Sequence, residues 1–256
     1  MIDLQQGDCL DLMKDIPDSS VDMILCDLPY GVTGLKWDKC IDVNELFSEY
    51  KRVAKKTANI VLFGTNPFAS TLIKAGIDIY KYEIVWKKSN GGFAYAKRRP
   101  LGRHELILVF GSENSFYSPQ MTEVKGKVRD RRKEKFYSRI DKNLSDSPVN
   151  ANTRMAYSSD YDPKYINPTD VVEFSNHFQG KKRFHPTQKP VPLLEYLIKT
   201  YTCEGETVLD NCMGSGSTGV AAVNLNRAFI GMELDCDYFK IAEQRINEAR
   251  RNVEFF

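Results

Sequence analysis

"VLDNCMGSGSTGVAAV", residues 208–223, runs from an apolar stretch through a glycine-rich turn into a small-residue helical pattern. Inside it, Gly214-Ser215-Gly216-Ser217-Thr218-Gly219 fits G-x-G-x-x-G. Glycines there permit a tight turn and close approach of a ligand, and the helix start offers free N–H groups. Thr207–Asp210 reads as the strand before the turn, Ser217–Leu225 as the helix and Ala228–Glu233 as the next strand. Glu233 ends that strand nineteen residues after Gly214. A carboxylate at that position can accept both ribose hydroxyls of an adenosine-bearing cofactor. A plain glycine turn would explain the glycines but not the acid. Two cofactors suit the pattern, a nicotinamide dinucleotide and S-adenosyl-L-methionine. Asp210, ahead of the glycines, would repel the pyrophosphate of the first and attract the α-ammonium of the second.

The same alternation continues outward. Val21–Leu25 and Ala58–Phe63 read as short buried strands, Tyr80–Trp86 and Glu105–Phe110 as further strands. Val43–Lys56 carries Val43, Leu46, Phe47, Tyr50, Val53 and Ala54 on one helical face. Pro67–Ala75, Val191–Tyr201 and Asp237–Arg250 also read as helices, the first stopped by Gly76 and the second opened by Pro190 and Pro192. Strands alternating with helices predict an α/β fold, a Rossmann-like, mostly parallel sheet with helices on both faces. From Gly111 to Phe184 the pattern collapses into polar sequence, too long for a plain loop inside a compact domain. The expected organisation is 1–110 as one half of a domain, 111–184 as an insertion, and 185–256 as the other half.

Of 256 residues 42% are hydrophobic, enough for a sizeable core, and the net charge is +2. No apolar run reaches membrane-spanning length, and the first residues lack a secretion-signal pattern. A cytoplasmic chain is expected, with its six cysteines reduced and structural; none forms C-x-x-C, and no metal is expected. Lys125–Lys142 holds nine Lys or Arg, Arg129, Arg131 and Arg132 among them, against three acids. Phe136 and Tyr137 interrupt it, and Lys97, Arg98, Arg99 and Arg103 form a second basic cluster. Such runs are commonly solvated faces, yet basic clusters mixed with aromatics also suit a nucleic-acid surface.

Two further stretches carry chemistry. "CDLPYGV", residues 26–32, ends a strand in Asp27-Leu28-Pro29-Tyr30, at the sheet end where α/β proteins bind ligands. "FHPTQKP", residues 184–190, is a proline-stiffened loop presenting Thr187, Gln188 and Lys189. With the glycine segment these resemble, in order, the D-P-P-Y, H-P-T-x-K-P and D-x-x-x-G-S-G motifs of the β-class DNA amino-methyltransferases, over nearly the whole chain. Each tetrapeptide is weak alone; the ordered set is specific. "DLPYGVTGLKWD" is especially similar to small phage- or prophage-type adenine methyltransferases, with a restriction–modification setting implied.

The resemblance implies methyl transfer from S-adenosyl-L-methionine to an exocyclic amine of a base flipped out of double-stranded DNA. It assigns the Asp27 carboxylate and the carbonyl of Leu28 to the amine, Pro29 to the turn and Tyr30 to stacking on the base. Leu28 departs from the commoner proline, which a main-chain role tolerates. Asp in first place goes with adenine N6 in this family, where Ser often goes with cytosine N4. Cofactor binding falls to Glu233 at the ribose, to Asp210 and Asn211, to Gly214 and Gly216, to Asp27, and to Thr187 and Lys189 at the methionine end. Asp8 is assigned to the cofactor's adenine, although a helix N-cap explains it as well. His185 would orient its loop; His104 and His177 read as ordinary polar residues and Trp37 as packing. Gly91-Gly92, Phe93 and Tyr95 fit either a flap or a hairpin turn. Residues 111–184 would recognise the target, and a homodimer is expected from the family's habit. Rival expectations are N4-cytosine methylation, a nicotinamide-dependent oxidoreductase, and a DNA-binding protein without turnover.

Overall fold

The computed structural model describes residues 1–30, 41–91, 96–98, 100–124, 162, 164–176, 184 and 188–254. They divide into two compact units, Met1–Ser118 with Asp170–Phe256, and Pro119–Thr169. The second is therefore shorter at both ends than the expected insertion 111–184. Its described elements are two short antiparallel strands, Thr122–Glu123 and Tyr165–Ile166.

The larger unit is built on one eight-stranded sheet. Its strands are β1 (Ile2–Gln6), β2 (Val21–Cys26), β3 (Ala54–Gly64), β4 (Tyr80–Lys87) and β5 (His104–Gly111), then β8 (Val171–Glu173), β9 (Thr207–Asp210) and β10 (Ala228–Glu233); β6 and β7 are the pair in the smaller unit. The order across the sheet is β1-β10-β9-β2-β3-β5-β4-β8. All neighbours run parallel except β3–β5 and β5–β4. The expected α/β fold, with its mostly parallel sheet, is what forms. β1 is an addition: Ile2 and Leu4 alternate with polar residues on the sheet margin, where a continuous apolar run is not required.

Among the described residues six helices cover the sheet: α1 (Cys9–Met13), α2 (Val43–Val53), α3 (Phe68–Ala75), α4 (Val191–Tyr201), α5 (Ser217–Asn224) and α6 (Cys236–Glu254). Residues alternate along each central strand between two cores. Met23 and Leu25 of β2, Val61 and Phe63 of β3, and Ile107 and Val109 of β5 face α4, α5 and α6. Ile24 and Cys26, Ile60 and Leu62, and Leu108 and Phe110 face α1, α2 and α3. Burial on both sides is why these strands read as unbroken hydrophobic runs. Each fully buried Leu or Phe contributes roughly 1.5–3 kcal/mol. Helix α2 starts where Asp42 accepts from the amides of Asn44 and Glu45. It ends at Val53, three residues before the expected Lys56, because residues 54–56 already belong to β3.

The connections place the site. From β2 the chain crosses by α2 to β3 on one side; from β9 it crosses by α5 to β10 on the other. The adjacent pair β2–β9 is thus a topological switch point, and the crevice beyond its carboxyl ends is where such sheets take ligands.

Candidate active site

Asp27 follows the last residue of β2 and Asp210 is the last residue of β9, so the two carboxylates stand at that switch point. Asp210 is 3% exposed. Burial pushes its carboxyl up to about 6, against hydrogen bonds from Thr218, the amide of Cys212 and Cys26. Beyond it, Gly214 (φ +52°) and Gly216 (φ +75°) both adopt the left-handed conformation that disfavours a side chain. A Cβ on Gly214 would meet nothing within 4 Å, whereas one on Gly216 would lie 2.8 Å from Cβ of Ala242. One glycine therefore borders open space and the other allows the loop to lie against α6.

Glu233 ties the end of β10 to this loop. Its Oε2 accepts from the amide of Gly214 at 2.8 Å and its Oε1 from Asp235 at 2.8 Å. Burial raises its carboxyl above the usual range while these amides oppose the rise. Arg245 of α6 donates to the Ser215 carbonyl, to Oγ of Ser215 at 3.0 Å and to Oγ of Ser217 at 3.3 Å. Its guanidinium lies 4.9 Å from the centre of the Phe184 ring. Asp8 caps α1, accepting from the amide of Leu10 at 2.9 Å, and is exposed. The capping explanation thus describes its contact. Asn211, expected to bind cofactor, is 1% exposed, and its Oδ1 accepts from the Tyr50 hydroxyl at 2.6 Å. Its side chain turns into the core below the loop because it follows Asp210 and points to the opposite side.

Around Asp27 lies a buried charge network. Lys189, 8% exposed, donates through Nζ to Oδ2 of Asp27 at 2.5 Å and to Oε1 of Glu105 at 3.0 Å. Glu105, 5% exposed, is paired through Oε2 with Nζ of Lys88 at 2.6 Å. The Tyr30 hydroxyl stands 3.2 Å from Oδ1 of Asp27 and 3.0 Å from Oε1 of Glu105. Its ring leans on Phe68, centroids 5.0 Å apart, and the Lys189 ammonium sits 4.9 Å from the centre of the Phe63 ring. Burial raises the Asp27 carboxyl, opposed by the Lys189 ammonium and reinforced by Glu105. Burial would also raise Glu105, but Lys189 and Lys88 outweigh it and hold that carboxyl low. The same two carboxylates overcome the effect of burial on Lys189 and raise it, so it stays an ammonium. Burial and both acids keep the Tyr30 phenol protonated.

Lys189 was expected at the methionine end of a cofactor, yet its direct partners are Asp27 and Glu105. Leu28 is buried among core residues, which leaves its main chain as the functional part. Neither Glu105 nor Lys88 stood out in the sequence. The available signal was a carboxylate at the buried phase of "HELILVF", since a charge there requires a partner. Lys97 and Arg98 are exposed, and Arg103, also exposed, donates to the carbonyl of Ser89 at 2.7 Å. His185, Pro186, Thr187, Arg99, Arg129, Arg131, Arg132, Phe136, Tyr137, Trp37, His177, Gly92, Phe93 and Tyr95 lie outside the described residues. Among the described residues there is no cluster of three metal-ligating side chains, and no helix long and apolar enough to cross a membrane.

A family model described as DNA methylase, covering the N6 and N4 enzymes, matches residues 21–244. The chain belongs to this DNA methylase family. The DNA adenine methyltransferase YhdJ of Escherichia coli (strain K12) is 30% identical over 95% of this chain and 82% of its own length. The type II methyltransferase M1.MboII of Moraxella bovis is 28% identical over 97% of this chain and 98% of its own length. The crystal structure of the M1.HpyAVI–SAM complex superposes with a TM-score of 0.65 at 25% identity, covering 96% of this chain and all of that one. The PvuII cytosine-N4-specific DNA methyltransferase shares the fold, with a TM-score of 0.63 at 14% identity over 98% of this chain and 92% of its own. This methylase is accordingly a DNA methyltransferase that uses S-adenosyl-L-methionine. The open space at Gly214, the braced carboxylate of Glu233 and the buried anion of Asp210 fit a cationic, ribose-bearing cofactor.

Proposed function

We propose that this methylase transfers a methyl group to the exocyclic N6 of adenine, in double-stranded DNA from which the target base has been flipped. The observation that carries the reading is the position of Asp27 at the switch point, with Lys189 and Tyr30 gathered on its carboxylate and the glycine loop on the neighbouring strand. When bound, the cofactor supplies a methyl group on a sulfonium, already a strong electrophile. What this chain must add is a nucleophile, because the lone pair of an aromatic amine is delocalised into the ring. The Asp27 carboxylate accepts one amine hydrogen and the carbonyl of Leu28 the other, favouring a pyramidal nitrogen with its pair directed outward. As the nitrogen–carbon bond forms and the carbon–sulfur pair stays on sulfur, the nitrogen gains a positive charge. Asp27 is then the nearest base for the proton it sheds. Holding reactants in this geometry, with fixed charges around them, is the main source of rate.

Within this reading Glu233 takes the ribose hydroxyls, Asp210 the methionine ammonium, Gly214 and Gly216 the close approach of the backbone, and Asp8 the cofactor's adenine through the oxygen that α1 leaves free. Tyr30 stacks on the flipped base. Residues 111–184 recognise the target, with Lys97, Arg98 and the basic segment at 125–142 on DNA phosphates. The adenine preference is supported by Asp, rather than Ser, at position 27 and by the name of the YhdJ relative. The test maps modified bases in DNA from cells expressing the wild-type chain and Asp27→Ala. N6-methyladenine at one short motif with the wild type, and none with the variant, is expected. N4-methylcytosine would replace the adenine reading, and transfer surviving in the variant would refute the role of Asp27.

A further inference from the structure

Glu105 belongs to no motif that suggested the reaction, and it comes from a strand running opposite to β2. It nevertheless touches both groups that hold Asp27. Its Oε1 accepts from Lys189 at 3.0 Å and lies 3.0 Å from the Tyr30 hydroxyl, while Lys88 anchors Oε2 at 2.6 Å. A buried carboxylate accepting three donors is costly unless its position matters or its partners repay it.

The distances around Asp27 suggest what that position does. Oδ2 is held firmly by Lys189 at 2.5 Å. Among the described residues, Oδ1 receives only the Tyr30 hydroxyl, at 3.2 Å, and that hydroxyl has the closer alternative acceptor Glu105. One hydroxyl carries one proton, so it can serve only one of the two carboxylates well. An amine arriving at Oδ1 can therefore displace Tyr30 without leaving a buried donor unsatisfied, because the hydroxyl turns to Glu105. Meanwhile Oδ2 keeps its lysine. The two carboxylates and the two lysines also balance in charge, which permits the half-buried Asp27 to remain an anion beside the buried Glu105 and Lys189.

We propose that Glu105 is a positioning residue of methyl transfer: it holds Lys189 on one oxygen of Asp27 and takes over the Tyr30 hydroxyl when the target amine claims the other. This rests on the assignment of Asp27 to that amine. Glutamine cannot do the same work, since one end of its amide must face Lys88 or Lys189 with a donor. The charged and titratable groups around Asp27, among the described residues, are Lys189 before α4, Glu105 on β5 with Lys88 behind it, Tyr30 on its own loop, the Cys26 thiol at the end of β2, and Asp210 on β9.

Single-turnover methyl transfer to duplex DNA, followed against pH with cofactor affinity measured by calorimetry, tests this. Glu105→Gln is expected to slow transfer on the order of a hundredfold while cofactor affinity holds. Because a negative neighbour of Asp27 is lost, the acid limb of its residual activity should move to lower pH. Lys189→Met removes a positive neighbour, so its acid limb should move to higher pH. Glu105→Asp keeps the charge and should keep the wild-type limb with an intermediate rate. If Glu105→Gln does not fold, the charge-balanced double variant Glu105→Gln with Lys88→Met takes its place, with the same slowing expected. A wild-type rate and pH profile in the Glu105 variant, or limbs that move the same way in Glu105→Gln and Lys189→Met, would overturn the proposal. Asp27→Ala, run alongside, separates the causes: activity there would mean that the underlying assignment fails, whichever way Glu105 behaves.

Discussion

Replacing Gly214 and Gly216 by alanine, one at a time, should separate cofactor binding from folding. Both glycines have positive φ, so either alanine pays about 1–2 kcal/mol for the left-handed conformation. At Gly216 the new methyl would also lie 2.8 Å from Cβ and 2.9 Å from Cα of Ala242, within the packed α6. Such overpacking adds about 1–3 kcal/mol. The total, about 2–5 kcal/mol, corresponds to a fall in Tm on the order of 5–15 °C for a chain of this size. At Gly214 the methyl meets nothing in the protein and projects into the space assigned to the cofactor. There the stability loss should stay at about 1–2 kcal/mol, while cofactor affinity falls by roughly tenfold to a hundredfold, the effect of about 1–3 kcal/mol of steric conflict with the ligand. Thermal denaturation without cofactor and calorimetric titration with S-adenosylhomocysteine read the two effects independently. A Gly214→Ala variant that binds as tightly as the wild type would refute the location of the cofactor. A Gly216→Ala variant that melts with the wild type would refute the packing argument.

Glu233→Ala should weaken cofactor binding at least about tenfold, since the ribose acceptor and the brace on the Gly214 amide are lost together; an unchanged Kd counts against the assignment. Asp210 has its folded-state carboxyl raised from an ordinary 3.8 to about 6, so the folded protein binds the extra proton between those values and stability falls as pH rises through that window. Asp210→Asn should therefore be more stable than the wild type above pH 6, by up to about 3 kcal/mol, with the gain vanishing near pH 4, as denaturant titrations at several pH values would record. Tyr50→Phe should cost about 1–3 kcal/mol by stranding the buried Oδ1 of Asn211, with cofactor affinity retained; melting and calorimetry check both halves.

What could be read in the chain follows from how each feature is built. β2, β3, β5 and the β9–α5–β10 unit were legible because burial on both faces turns a strand into a continuous apolar run. Glycines and an acid at fixed spacing then marked the turn that the Gly214 amide ties to Glu233. The place of Asp27 at the sheet's ligand-binding margin was legible because it directly follows a continuous apolar strand, where a plain turn would explain the proline but not an acid. β1 escaped because an edge strand needs only alternation, and Ile2 and Leu4 alone are a thin signal. The direction of the Asn211 side chain is not legible, because adjacency to Asp210 in sequence says nothing of direction and successive side chains point opposite ways. Glu105 escaped for a topological reason. Searching the carboxyl ends of strands finds ligand-binding residues in a parallel sheet, but β5 is reversed, so its first residues, not its last, reach that end. No local pattern discloses which strand in a series has turned round.

The reversal of β5 also bears on how this enzyme could be re-engineered. Because β4 ends and β5 begins at the catalytic margin, the connection between them starts and finishes there, clasped at its base by the Lys88 amide on the Arg103 carbonyl at 2.8 Å. It carries Lys97 and Arg98. Doubling the length of a flexible connection adds only about 0.6 kcal/mol of closure entropy. The connection between β4 and β5 is thus a natural graft point, where foreign peptide could be spliced in to alter which DNA is engaged without disturbing the strands that carry the carboxylates.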